Sequence, residues 1–317
     1  MNVRDFSEKW LLLKSRRLSP LTLASYRGEL ERNVLPFFGD KEINSISSVD
    51  VEIWLDGLLA RVRAPETAKR SYAVFRSLMH KATVLGLCEA NPARSEVIEP
   101  LPSCRKETEI LSHDDLTAVL DAVKTEPLRW RGYVLSALET GARRGELVAL
   151  RWKNIDFSNR IIIFDSSAYK LAGEKAGIKC TKNGKTKKVH VSMDLLRLLR
   201  SLQREQMRDC LRNGIPYDVT GFVFGKCGAM MHPTTPTGWW SKFQKRHGLK
   251  HYKLHALRHT MASYLLASGA SLKTVSSRLG HSGLEITQRY LHTIDSADIK
   301  AADQMAAILY TCAKKMP

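Results

Sequence analysis

The sequence predicts a mainly α protein with a small antiparallel β-sheet, an α+β chain whose first part is wholly helical. Three observations carry this. Residues 1 to about 90 show repeated 3.6-residue apolar spacing. Short β-branched runs such as Ile161-Ile162-Ile163-Phe164 occur only after residue 150. Helical periodicity then returns from Asp194 onward.

In the first part, Val3 to Lys14 places Phe6, Trp10 and Leu13 on one face. Ser19-Pro20 reads as an N-cap followed by proline at the first helical position. The helix so started carries Leu21, Tyr26 and Leu30 and is expected to stop before Pro36, with Phe37 to Asp40 as a turn. Asp50 is expected to cap a helix holding Val51, Trp54 and Leu58. A fourth helix follows Pro65, with Ala68, Tyr72, Phe75, Met79 and Ala82 on its apolar side and Lys69, Arg70, Arg76 and Lys81 on the other. Such a charge run is ordinarily a solvated face; in so basic a chain a phosphate-contacting face is the competing reading, and Lys69, Arg70 and Arg76 become DNA-binding candidates.

Residues 91–110 contain Asn91-Pro92, Glu99-Pro100 and Leu101-Pro102 and show no helical period. They are the expected linker between a helical domain, 1–90, and a larger domain, 111–317. In the latter, Ser112 with Asp115 signals a helix start, and Tyr133 to Leu138 an apolar helix ending near Gly141. Asn183-Gly184 between Ile178–Lys182 and Lys185–Val191 is a strong hairpin signal. Later helices are expected to break at Asn213-Gly214, Pro233, Pro236, Gly269 and Gly280.

Composition narrows the function. The chain has 317 residues, 44% hydrophobic and 26% charged, which fits a folded globular protein. Lys plus Arg is 50 against 32 Asp plus Glu, a net charge of +18 that points to a polyanionic partner, nucleic acid first. No apolar run has the length of a membrane span, and the N-terminus lacks a signal-peptide pattern, so a cytoplasmic, nucleoid-associated protein is expected. Cys88, Cys104, Cys180, Cys210, Cys227 and Cys312 are scattered without a CxxC pair, which argues for reduced thiols rather than disulfides or zinc.

Four segments hold the chemistry. Thr140–Leu147 puts Arg143 at a helix start, where guanidinium and helix terminus can address an anion; alone it equally suits a surface arginine pair. Thr181–Lys185 puts Lys182 on a hairpin tip, with Lys185, Lys187 and Lys188 as competitors. Leu254–His259 places His255 and Arg258 on one helix face. His255 and His259 are also spaced as metal ligands, but residue 256 is Ala where the HExxH pattern has Glu, and no third ligand is evident. In Leu279–His292, Ser282 and Glu285 form a capping box, so His281 precedes a helix that carries Tyr290.

Taken in order, these segments resemble the tyrosine recombinases, the phage-integrase family, whose signature of Arg, Lys, His-x-x-Arg, His and Tyr falls on Arg143, Lys182, His255 with Arg258, His281 and Tyr290. The resemblance spans about residues 1 to 300. Arg144-Gly145 departs from it, since many members carry an apolar residue and a serine there. The helical N-terminal part also resembles the family's core-binding domain; a second expected departure is the lack of the extra arm-binding domain of larger phage integrases.

For this chain the resemblance implies a site-specific recombinase of a phage or mobile element. Tyr290 would be the nucleophile, Arg143 and Arg258 the phosphate clamp with His281, His255 the base and Lys182 the acid, with Glu146 orienting an arginine. It implies no metal or other cofactor. The implied partners are double-stranded DNA, three further copies in a tetramer on two DNA sites, and an excisionase or DNA-bending protein. The helix expected around Ile299 to Tyr310 packs at home or on a neighbouring protomer. Same-chemistry rivals are a chromosome-dimer resolvase and a type IB topoisomerase. A different class, a non-catalytic regulator, rests on the helix-turn-helix look of His255 to Leu279, which leaves Arg143, Tyr290 and the hairpin lysine unexplained.

Overall fold

A computed structural model describes residues 1–62, 64–102, 108–171, 173–180 and 186–280. The chain divides into two compact units, Met1–Lys106 and Glu107–Pro317.

The first unit is helical. It runs α1 (Val3–Ser15), α2 (Pro20–Glu29), α3 (Leu35–Phe38), α4 (Ser48–Arg61) and α5 (Pro65–Val84). Asn2 and Ser19 cap α1 and α2 through side-chain oxygens, and Pro20 and Pro65 occupy first turns, where a missing N–H costs nothing. Phe38, Trp54 and Phe75 meet at the centre, with Phe38 stacked on Phe75 at 4.5 Å between ring centroids.

Two expectations fail here for identifiable reasons. Pro36 does not end the helical path. A π-helical turn, Leu30–Val34, takes up the extra residue and α3 follows, with Pro36 in its first turn and Phe37 and Phe38 helical. The main-chain oxygens exposed by this irregularity find side-chain donors: Trp54 Nε1 donates to the Asn33 oxygen at 2.8 Å. Second, the cap of α4 is Ser47. Asp50 lies three residues inside and returns a bond to the Ser47 N–H, completing a capping box. The side chain of Asp50 also accepts from Lys41 Nζ at 2.6 Å, and together these bonds hold its carboxyl far below the usual carboxylate range.

The stretch expected to be a bare linker is packed in its first half. Ala93 and Ile98 are buried in the core of the first unit, Tyr72 Oη donates to the Ala93 oxygen at 3.0 Å, and Asn91 Nδ2 donates to the Arg76 oxygen. Lack of helical period thus marks an irregular, anchored segment.

The second unit opens with α6 (His113–Lys124), capped by Ser112 as expected, and α7 (Leu128–Thr140). Then come α8 (Arg144–Val148), β1 (Ile155–Asp156), β2 (Ile161–Phe164), β3 (Ser166–Tyr169), β4 (Gly177–Cys180) and β5 (Lys187–His190). Helices α9 (Met193–Arg212), α10 (Thr235–Arg246), α11 (Ala256–Ala267) and α12 (Leu272–Leu279) complete the described chain. Pro236 is not a break but lies in the first turn of α10.

Helix α7 is the pillar, with Tyr133, Val134 and Ser136 fully buried against α9 and α11. The strands pair antiparallel in the order β1-β2-β5, with β3-β4 as a separate ribbon. Among the described residues β4 pairs with β3 and β5 with β2, so the two arms expected to form one hairpin lie in different ladders. Its tip, with Lys182, lies outside the described residues, as do the Ser282–Glu285 cap and the expected helix at 299–310. The described cysteines, Cys88, Cys180, Cys210 and Cys227, are free thiols. No described helix is long and apolar enough to cross a membrane.

Gly145 explains the departure noted at Arg144-Gly145. A Cβ there would stand 2.6 Å from the Ala168 main-chain oxygen and 2.4 Å from Ser167 Oγ, so glycine lets α8 lie directly on β3. Gly145→Ala is expected to destabilise the protein by roughly 1–3 kcal/mol, the usual cost of forced overpacking. A thermal melt followed by circular dichroism checks this, and an unchanged Tm would show that α8 can move off β3 freely.

Candidate functional site

The site is assembled where α7 ends. Gly141 adopts a left-handed conformation (φ 57°) that terminates α7 and turns the chain into α8. Ala142 follows, and Arg143 takes the N-cap position of α8. Glu146 acts as the cap from inside: its carboxylate accepts from the Arg143 main-chain N–H at 2.9 Å and from the Arg143 guanidinium at 2.8 Å. Arg143 remains about half exposed, while Glu146 is buried. The guanidinium is therefore fixed at its root and open at its outer side.

Lys187 reaches Glu146 from β5. Its Nζ lies 3.1 Å from Glu146 Oε2 and 4.4 Å from the centre of the Phe164 ring, and both members of the ion pair are 7% exposed. Burial alone would raise the Glu146 carboxyl; Lys187 and the Arg143 donors outweigh it and hold the group below the usual carboxylate range. Burial lowers Lys187 to about 8, opposed by Glu146 and aided by the charges of Arg258 and Arg143.

His255 stands at the N-cap of α11, and Arg258 lies one turn in. Arg258 is 3% exposed and donates to main-chain oxygens of two other segments: Gly141, and Leu279 at 2.8 Å. One guanidinium thus joins α11 to the end of α7 and the end of α12. Burial depresses the proton affinity of His255, and the charges of Arg258 and Arg143 depress it further, so the imidazole is neutral at neutral pH and can accept a proton. His259 stacks edge-on against His255 at 4.6 Å between centroids. Among the described residues, no group of three His, Cys, Asp or Glu could hold a metal ion.

Of the residues singled out from sequence, Arg143, Glu146, His255 and Arg258 are therefore brought together. His281 and Tyr290 lie outside the described residues, as does Lys182. The chain reaches Gly280, in a left-handed C-cap after α12, directly before His281.

Two site residues escaped sequence reasoning. Lys187 was only one of several competing lysines. Its signal was its register: in β5, Lys187 and Val189 alternate inward while Lys188 and His190 point out. Arg278 was unnoticed; it donates to the Glu139 oxygen at 2.7 Å and the His190 oxygen at 2.9 Å, tying α12 to α7 and β5.

The N-terminal candidates fall elsewhere. Lys69 pairs with Glu66 at 3.2 Å, and Arg70 approaches the buried carboxylate of Glu29 at 3.7 Å. Arg76 is exposed and lines a cleft of about 560 Å³ with Tyr72, His80 and Arg94.

Residues 109–296 match the phage integrase family, and residues 2–59 match the N-terminal SAM-like domain of phage integrases. The chain belongs to the phage integrase family. It is accordingly a site-specific DNA recombinase, a DNA strand transferase. Similar proteins include a tyrosine recombinase XerC-like protein of Caldanaerobacter subterraneus subsp. tengcongensis, 28% identical over 95% of this chain and 82% of the relative. A putative prophage phiRv2 integrase of Mycobacterium tuberculosis is 26% identical over 94% of this chain and 76% of its own length. Among solved structures, Tn1549 transposon integrase in complex with transposon right end DNA superposes with TM-score 0.79 at 18% identity, covering 96% of this chain and all of that one. A lambda integrase dimer bound to a core site superposes with TM-score 0.67 at 15% identity, covering 90% and 97%. These structures share the fold of this integrase-family chain.

Because Glu146 is buried between two cations, removing it leaves an ammonium without its carboxylate. Glu146→Ala is expected to lower unfolding stability by about 3–5 kcal/mol, the cost of breaking a buried pair, whereas Arg143→Ala, at a half-exposed site, costs about 1 kcal/mol or less. Urea denaturation of both variants checks the ranking; equal losses would mean the pair is solvated.

Proposed function

We propose that this recombinase cleaves and rejoins duplex DNA through a 3′-phosphotyrosine on Tyr290, in the service of integration and excision of a mobile element. The observation that supports the reading best is the convergence of Arg143, at the head of α8, with His255 and Arg258 of α11 in one partly buried cluster of positive charge, in a chain whose +18 charge suits a polyanion.

The chemistry follows from the phosphodiester. It is anionic and repels nucleophiles, so the pentacovalent transition state needs cations at its non-bridging oxygens. Arg143 and Arg258 supply permanent charge in a fork geometry, and His281 adds a donor. A phenol has a pKa near 10 and must lose its proton in the attack; neutral His255 accepts it. The Tyr290 oxygen bonds to phosphorus, the bond to the 5′-oxygen breaks, and Lys182 protonates that oxygen. The phosphotyrosine conserves the ester's energy, so a 5′-hydroxyl from another strand reverses the step with neither ATP nor metal. Glu146 orients Arg143.

The partner is DNA; that four protomers join two sites, assisted by an excisionase or DNA-bending protein, belongs to the same proposal. Only DNA as the partner draws support from the Tn1549 and lambda integrases, which are seen bound to it. Basic groups of the first unit, exposed Arg76 and Arg70 with half-buried Lys69, would meet phosphates. A cytoplasmic, nucleoid-associated location follows from this substrate.

A nicked suicide substrate carrying the element's own attachment site tests the reading. Wild type is expected to trap a covalent adduct and Tyr290→Phe none; DNA binding without any adduct would favour a regulator. Relaxation of plasmids lacking a site would favour a topoisomerase. Arg143→Ala is expected to slow adduct formation by roughly 10²–10³-fold, the usual cost of losing one transition-state donor, with site affinity retained. Lys182→Ala is expected to be slow on the ordinary substrate and restored by a 5′-phosphorothiolate, whose leaving group needs no proton. Equal defects on both substrates would move the acid role elsewhere.

A further inference from the structure

Lys187 makes contacts that a surface hairpin lysine has no need of. It stands on β5 opposite Phe164 of β2, points inward, and lays its ammonium 3.1 Å from Glu146 and 4.4 Å over the Phe164 ring. Glu146 holds Arg143 by two bonds. The carbon stem of Lys187 lies against Gly280: a Cβ at that glycine would stand 3.2 Å from Lys187 Cδ. The same turn receives the Arg258 guanidinium through the Leu279 oxygen. Lys187 therefore touches, through one side chain, the support of Arg143 and the turn that precedes His281 in the chain.

We propose that Lys187 is a positioning residue of the cleavage site: its buried ammonium neutralises Glu146 so that this carboxylate presents Arg143 at the head of α8, and its stem seats the Leu279–Gly280 turn that leads into His281. The inference rests on the recombinase reading above. It assigns Lys187 no contact with DNA and no proton transfer to it, and so differs from the acid role given to Lys182.

The charged groups facing Lys187 are Glu146 and Arg143 on α8 and Arg258 on α11; the Phe164 ring faces it from β2. The two arginines oppose its protonation, and Glu146 favours it. Because burial brings its proton affinity down to about 8, the ammonium that holds Glu146 is present below that pH and lost as pH rises through it. A guanidinium at this position stays charged throughout.

The experiment uses the full chain and the nicked attachment-site substrate, with adduct formation at Tyr290 in the wild type as the control. Lys187→Met is expected to lower the Tm, because it strips a buried carboxylate of one cation, and, assayed well below that Tm, to form adduct roughly tenfold to hundredfold more slowly, the scale of a displaced catalytic group, with site affinity close to wild type. Lys187→Arg supplies the second readout. Its rate relative to wild type is expected to be flat below about pH 7.5 and to climb several-fold by about pH 9.5, because only wild type loses the charge. Wild-type speed in Lys187→Met would overturn the proposal. So would parallel pH profiles for Lys187→Arg and wild type, or a loss of rate in Lys187→Met matched by an equal loss of site affinity. If wild type itself formed no adduct, the recombinase reading would fail rather than the role of Lys187.

Discussion

A carboxylate buried inside a protein must be neutralised and hydrogen-bonded, or it will take up a proton and lose its charge. Glu146 meets this demand from two sides, with the Arg143 N–H and guanidinium on one and the Lys187 ammonium on the other. That single requirement fixes much of the second unit. It sets the cap of α8, obliges β5 to turn Lys187 inward, and places α8 against the strands. Gly145 then becomes necessary, because α8 approaches β3 closely enough that a Cβ would collide with main-chain atoms. Arg258 plays the corresponding part for the backbone. Buried and bonded to the oxygens of Gly141 and Leu279, it satisfies the ends of two helices whose last carbonyls lack partners within the helix.

Much of this was legible in the sequence where the signal was local. Ser19-Pro20, Ser112 with Asp115, and Gly141 act within a few residues, and each does what its chemistry dictates. Arg143 at a helix start and His255 with Arg258 on one face follow from helix periodicity. What could not be read was decided by distant partners. Pro36 was expected to stop a helix, yet a π turn absorbs it because Trp54, from another helix, binds a carbonyl oxygen of that turn. Ser47 and Asp50 are both good caps, and choosing between them needs the backbone. Asn183-Gly184 is a valid turn signal, but which ladder its flanking strands join is a matter of sheet topology. Lys187 looked like one basic residue among several; only pairing with β2 turns it inward.

The first unit shows how a charge run divides its work. Arg70 leans on Glu29, a buried carboxylate that also accepts from Ser71 Oγ and Asn33 Nδ2. Lys69 meets Glu66 on the preceding turn. An exposed pair of that kind contributes little to stability and is screened by salt, so its lysine can leave the partner for a phosphate at small cost. Arg70 is different, since departing would strip one cation from the neighbourhood of a buried anion. Arg76 has no such tie among the ion pairs of the described residues. Even within one helix face, then, basic side chains are unequal candidates for a polyanion, and the inequality comes from what lies beneath them.

The same reasoning applied to the second unit returns to its charge balance. Arg143 and Lys187 flank the Glu146 carboxylate, and Arg258 adds a third cation near Lys187, a local excess of positive charge in a partly buried place. Burial first, and then the charges of Arg258 and Arg143, depress the proton affinity of His255 beside that cluster. Such a cluster costs free energy in the resting protein, because each charge repels the others in a medium that screens poorly. In the reaction proposed above, that cost would be offset when an anionic phosphodiester arrives, and most as the pentacovalent transition state places further negative charge on the non-bridging oxygens, which is how a fixed constellation would favour the transition state over the substrate.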